Sequence, residues 1–282
     1  MHQVTESRPK NLNKAEGEYM TQKCYDVAIL GATFLGLGAA LKLKNAVVIE
    51  RADFFGTEFI NNYKICKPQL INSKTELGKH FADNLRKRKL ISASGDIYQA
   101  PAMYVISSYL KQNPVEILLM TETIEVKKEN GIYSITVYHA KGFETILAKK
   151  VLDTTLMGIG CSCNDKLKIR KTLNSIIYNP EKRNIEKLYY NTASEIYTFS
   201  MEVSYEKTRY DAVEELLAMA NVFQNNKMRI SSIAPDFSYE LEPFCYIEEQ
   251  DYIWNPSIAY ANLVEAFDVG VSIAERMAYD YT

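Results

Sequence analysis

The sequence predicts an α/β protein: a mostly parallel central sheet with helices on both sides, an inserted antiparallel β-meander, and a small α+β second region. Three observations carry this. A strand, a glycine turn, a helix and a second strand follow one another within residues 25–50; three strand-like runs separated by glycine turns occupy 123–147; and a long amphipathic helix closes the chain over 256–281.

Residues 25–30 (YDVAIL) form a short β-branched and apolar run, as expected of a parallel strand buried on both faces. Gly31 breaks it, residues 35–43 carry small and apolar side chains at helical spacing, and Asn45 ends that helix before a second buried strand at 47–50. This is a compact βαβ unit. Helical character returns around 77–89, and a helix is expected over 101–111, where Pro101 near the first turn forfeits no hydrogen bond. A buried strand is expected at 116–120, then a meander of strands at 123–127, 132–138 and 144–147, turned by Asn130-Gly131 and Lys141-Gly142. Residues 150–154 return to a buried strand. The second region, 161–243, has strand-like runs at 188–190 and 196–203, an amphipathic helix at 211–223 and a strand at 228–233. Asn255 and Pro256 read as the N-cap and first position of the closing helix. Residues 1–22 are polar and aperiodic, which predicts a disordered leader with Met20 as a candidate natural start. The division is therefore a first domain of 23–160 plus 244–282, interrupted by 161–243.

The 282 residues carry a formal net charge of −2, with 47% hydrophobic and 24% charged residues. That balance argues against a nucleic-acid surface held by bulk electrostatics. The basic run Arg86-Lys87-Arg88-Lys89 reads as a solvated helix face. Five cysteines without framework spacing and without a signal peptide fit a reducing cytoplasm. Cys161-Ser162-Cys163 is too tight for a zinc half-site, and three histidines are too few for a His-based metal centre. No apolar run approaches the ~18–20 residues that cross a bilayer.

The turn Gly31-Ala32-Thr33-Phe34-Leu35-Gly36, with Ala40 four residues on, resembles the dinucleotide fingerprint G-x-G-x-x-G. Gly31 makes the tight turn, Gly36 and Ala40 permit close packing of helix on strand, and the first helical amides face the phosphates. Thr33 departs from the pattern. Its Cβ pushes a pyrophosphate outward, or its hydroxyl donates to a phosphate oxygen. Glu50, ending the second strand, is placed to accept from the adenosine ribose hydroxyls and would repel a 2′-phosphate, which disfavours NADP. On these residues alone FAD and NAD both stay open.

The stretch YDVAILGATFLGLGAAL…VVIERADFFG, with Arg51 after the acidic residue and Gly56 beyond it, resembles the opening of the FAD-dependent oxidoreductases of the glutathione-reductase-like type. The run GFETILAKKVLDTT resembles the segment where that family's chain re-enters its FAD sheet, and NPSIAYANLVEAFDVGVSIAERM resembles its closing helix, with Asn255, Ser257, Ala261 and Asn262 at matching positions and Gly270 at a close helix contact. The resemblance touches about half of the chain. It implies a Rossmann-like FAD/NAD(P)-binding fold, FAD as cofactor, and cofactor contacts from Gly31, Ala32, Thr33, Phe34, Leu35, Gly36, Glu50, Arg51 and Asn262. It implies a small-molecule substrate and, because 161–243 is short for a substrate domain, a homodimer or partner subunit.

No catalytic residue is singled out. Cys66 lacks the C-x-x-C or C-x-x-x-x-C partner of a redox disulfide and reads first as an idle thiol. Trp254 reads first as core, with stacking near an isoalloxazine as the alternative. His80, His139 and the Tyr189-Tyr190 pair read as packing or surface groups. Two other functions stay open: an NAD-dependent enzyme on the same βαβ unit, and a non-catalytic Rossmann-like subunit of a larger assembly.

Overall fold

The computed structural model describes residues 23–66, 72–159, 168–182, 185, 187–242, 247–249 and 251–279. The expected leader, the Cys161/Cys163 pair and Cys245 lie outside the described residues. The βαβ unit runs through β1 (Cys24–Leu30), α1 (Phe34–Ala40) and β2 (Ala46–Ile49), followed by α2 (Thr57–Ile60), α3 (Glu76–Lys87), α4 (Ala102–Gln112) and β3 (Glu116–Leu118). The meander comprises β4 (Glu122–Glu129), β5 (Ile132–His139) and β6 (Gly142–Asp153).

Two expected strands, 144–147 and 150–154, are one. The 12-residue β6 pairs antiparallel with β5 along its first half and parallel with β1 along its second. It carries the meander and the return to the central sheet in a single element, since no turn residue interrupts residues 143–153.

The second region holds β7 (Lys168–Tyr178), β8 (Leu188–Asn191), β9 (Ile196–Val203), α5 (Arg209–Ala218), α6 (Ala220–Asn225), β10 (Arg229–Ile233) and β11 (Ser238–Glu242). The chain then returns through β12 (Ile247–Glu249) and β13 (Tyr252–Trp254), makes a 3-10 turn at Ser257–Ala259, and ends in α7 (Leu263–Tyr279). The first sheet has the order β12-β13-β6-β1-β2-β3, parallel from β13 to β3. In the second sheet, β7 pairs with β9, β10 and β11, all antiparallel.

Helices cover one face of the central sheet rather than both. Val27, Ile29, Val48, Leu152 and Ile253 pack beneath α1, α3, α4 and α7. The opposite side chains, Ala28, Leu30, Val47, Ile49 and Val151, pack instead against Tyr133, Ile135 and Val137 of β5. The folded-over meander does the work expected of a second helical layer, because alternate residues of β5 are apolar and turn toward the sheet.

α1 and α7 touch backbone to backbone. A Cβ on Gly38 would lie 2.2 Å from the Phe267 carbonyl oxygen, and one on Gly270 would lie 2.0 Å from that of Leu35. The closing helix starts later than expected. Pro256 has extended backbone (φ −67°, ψ 118°), and Asn262 caps α7 by accepting from the amides of Val264 and Glu265 at 3.0 and 2.9 Å. The Ser257 amide is held by the Thr154 carbonyl at 3.1 Å, so the chain through 255–257 follows β6 and not a helix axis.

The expected helix 211–223 divides at Met219 into α5 and α6. The second sheet is tied to the first region by Asn174, whose side-chain amide donates to the carbonyls of Asn62 (2.7 Å) and Tyr63 (3.3 Å), and by the Tyr63–Ser232 hydroxyl pair at 2.9 Å. These bonds bring Arg209 and residues 235–239 opposite the carboxyl ends of β1 and β2. Among the described residues no helix is long and apolar enough to cross a membrane, and no group of His, Cys, Asp and Glu is arranged to hold a metal.

Candidate functional site

A cavity of about 580 Å³ opens at the carboxyl ends of β1, β2 and β6. This is where ligands bind in parallel α/β sheets, because helix amino-terminal amides and strand-end loops converge there. Gly31, Thr33, Glu50 and Arg51 line it from the βαβ unit, Thr154 and Thr155 from the end of β6, and Arg209, Asp236 and Phe237 from the second region. Ala32, Phe34, Leu35 and Gly36 are buried behind this lining, so whatever they offer the cavity is offered by backbone. The Asn262 side chain is turned to the backbone of α7 and is not among the lining residues.

The loop from Gly31 to Gly36 has the geometry of a ligand-facing turn. Gly31 sits at φ +94°, in the left-handed region that favours glycine. A Cβ on Gly36 would lie 2.3 Å from the Gly31 carbonyl oxygen, so the loop closes on itself there. Glu50 ends β2 beside it. Its two carboxylate oxygens accept from the amides of Ala32 (2.8 Å) and Ala52 (2.9 Å). A carboxylate offers about four acceptor positions, so Glu50 keeps capacity for ribose hydroxyls. The adenosine end of a dinucleotide fits this arrangement.

The diphosphate end does not fit the arrangement as it stands. The Phe34 amide donates to Glu58 Oε1 at 2.7 Å, the Leu35 amide faces Ser257 Oγ at 3.4 Å, and the Gly36 amide donates to Thr33 Oγ1 at 3.0 Å. Thr33 in turn donates to Thr154 Oγ1 at 2.7 Å, and Thr154 donates to the Leu30 carbonyl at 2.8 Å. The Thr33 hydroxyl thus serves as helix cap and interstrand link and is not aimed at a phosphate. Two unit charges ~4 Å apart repel by about 4 kcal/mol at an effective dielectric of ~20, so a phosphate and an ionised Glu58 cannot share these amides.

Glu58 belongs to α2, which Gly56 (φ +73°) starts. Its Oε1 also accepts from Ser257 Oγ at 2.8 Å, while its Oε2 is buried without a hydrogen-bond partner. Burial pushes its carboxyl up to about 7, and the nearby Glu50 adds to the rise; the bonds from Phe34 and Ser257 oppose it. Sequence reasoning passed over this residue. The available signal was an acid two positions after Gly56, but nothing in the local pattern says that a four-residue helix would aim it back at residue 34.

The other candidates resolve into packing. Trp254 is fully buried, its indole N–H donates to the Thr155 carbonyl at 3.0 Å, and its ring covers Gly158. Cys66 is buried, and burial pushes its thiol up, away from the reactive thiolate. His80 meets the Tyr109 hydroxyl, His139 meets Glu144, and Tyr189 bonds Asp96.

No protein-family model matches the chain, and no curated protein matches it in sequence. Solved structures do match. A p-nitrophenol 4-monooxygenase from Pseudomonas putida superposes with a TM-score of 0.58 at 14% identity, covering 92% of this chain and 79% of that one. A glycerol-3-phosphate dehydrogenase from Bacillus halodurans complexed with FAD gives 0.58 at 14% identity, over 93% of this chain and 66% of that one. The L-alpha-glycerophosphate oxidase from Mycoplasma pneumoniae, with FAD bound, gives 0.56 at 12% identity, over 92% and 95%. The chain shares the overall fold of these three structures, two of which contain FAD. The expected α/β class, with its parallel sheet, inserted meander and second α+β region, is therefore the observed one.

Proposed function

We propose that the protein is a flavin-linked oxidoreductase whose crevice between β1, β2 and the second sheet takes FAD, adenosine end against Glu50. The observation that carries this reading is the 580 Å³ cavity at the carboxyl ends of β1, β2 and β6, in a fold shared with structures that contain FAD. Gly31, Glu50 and Arg51 would hold the adenosine ribose and first phosphate, with Thr154 and Thr155 lining the far side of the crevice. When bound, a flavin would supply the hydride or electron chemistry, and the chain would supply position and exclusion of water. The substrate is a small molecule entering past Arg209, Asp236 and Phe237. A flavin absorption band in the freshly purified protein, or one acquired on adding FAD, is the expected result. A protein that stays colourless and does not quench FAD fluorescence would defeat the proposal.

A second reading is favoured by the loop itself. The amides of Ala32, Phe34, Leu35 and Gly36 are all bonded within the chain, which leaves none of these four for a ligand. On this reading the protein is a cofactor-free subunit of a larger assembly. Recovery of a stoichiometric partner with no flavin in either chain would favour it over the first.

A further inference from the structure

We infer that Glu58 is an internal occupant of the diphosphate position, so that a dinucleotide binds this crevice only when the Glu58 side chain gives up the loop amides. The inference rests on the proposed reading of the crevice as a FAD site and assigns one residue as the determinant of its affinity.

Four observations converge. Glu58 Oε1 takes the Phe34 amide and the Ser257 hydroxyl at once, at 2.7 and 2.8 Å. It is an anion-type acceptor on the loop where the fold places an anionic ligand. Its second oxygen, Oε2, is buried with no partner, an arrangement that leaves a buried polar atom short of a hydrogen bond. A group that existed only to cap α1 would gain by satisfying both oxygens. The residue also sits on the cavity lining, and its carrier is a four-residue helix outside the sheet, entered through a left-handed glycine.

The charged surroundings set the direction of the pH effect. Glu50 faces Glu58 from the end of β2 and raises its proton affinity. Phe34 and Ser257 contact it as hydrogen-bond donors from α1 and the 3-10 turn. Lys64, on the segment after α2, spends its ammonium on the Ile258 carbonyl beside that turn. Arg51, Glu122, Arg209 and Asp236 are further charges around the same cavity. With burial raising the carboxyl to about 7, Glu58 is neutral in mild acid and anionic in mild base. Competition with a phosphate is therefore strongest in mild base.

The test is an equilibrium titration of full-length protein with FAD, read by flavin fluorescence, at about pH 6 and about pH 8 for wild type, Glu58→Ser and Glu58→Gln. Adenosine is titrated in parallel, followed through Trp254 emission, and circular dichroism and melting confirm that each variant is folded. Glu58→Ser vacates the amides, and Glu58→Gln keeps the acceptor and removes the charge. The expected result is a gain in FAD affinity of about tenfold or more for Glu58→Ser at pH 8, a smaller gain for Glu58→Gln, and wild-type affinity that rises toward pH 6. Adenosine binds all three alike. Equal FAD affinity of folded wild type and Glu58→Ser at pH 8 overturns the inference and leaves the FAD site standing. Folded variants that bind neither FAD nor adenosine at either pH overturn both.

Discussion

Two regions around α1 handle close backbone approach in opposite ways. At the crossing of α1 and α7, Gly38 and Gly270 keep backbones within a distance that no side chain tolerates. At the ligand-facing loop a few residues earlier, Thr33 stands where the fingerprint has glycine, and Glu58 and Ser257 fill the space in front of the amides. The first contact answers to packing, the second to a ligand. A fold can retain the former intact while the latter is rebuilt with side chains. Gly36 belongs with the packing set, since even a methyl group there would strike the Gly31 carbonyl. Gly36→Asp would thus break the loop itself and report little about phosphate.

The largest effect is expected at the helix crossing. Gly270→Ala places a Cβ 2.0 Å from a backbone oxygen that has no rotamer to escape into. A loss of about 3 kcal/mol is expected, with a fall in Tm of about 10 °C by calorimetry. A melting point unchanged within error would contradict this close approach of the two helices.

Glu58→Gln comes next. The folded carboxyl lies at about 7, above its ordinary value of 4.5, so its neutral form is favoured by folding. The wild type's stability from this group is fully present below about pH 4.5 and is lost as pH rises through about 7. At roughly 1.4 kcal/mol per unit, the loss amounts to about 3 kcal/mol. The variant lacks this loss, so its margin over wild type in urea unfolding grows between about pH 5 and 8. A constant margin would show that Glu58 titrates normally.

The smallest effects separate two helix caps. Thr33→Ala and Asn262→Ala each remove a side-chain acceptor from an amino-terminal amide, and each is expected to cost about 1 kcal/mol. Only Thr33 also lines the cavity, so only Thr33→Ala should alter FAD affinity. Equal effects of the two on FAD binding would show that Thr33 is no more ligand-facing than Asn262.

Much of this architecture is legible in the chain. β1, α1 and β2 are marked by an apolar run, glycines and a second apolar run, and α3, α4 and the meander by period and turn residues. β7 does not show in the pattern because its buried positions include Lys171, Asn174 and Ser175, which break the apolar alternation. Lys171 is accommodated by the carbonyls of Tyr205 and Lys207, and Asn174 by those of Asn62 and Tyr63, partners far away in sequence. The short β12 and β13 have too few residues to show a period. At the site, Gly31 and Glu50 are visible in the fingerprint, and Thr33 is visible as a departure from it. That departure becomes interpretable only with Thr154 and Glu58 beside it, and both are brought there by tertiary packing.

A crystal structure grown in the presence of FAD tests the central claim most directly, through the distance from Glu58 Oε1 to the Phe34 amide. A phosphate oxygen is expected on that amide, with Glu58 withdrawn from its 2.7 Å contact. A flavin dinucleotide seated in the crevice with the Glu58–Phe34 hydrogen bond still in place would contradict it.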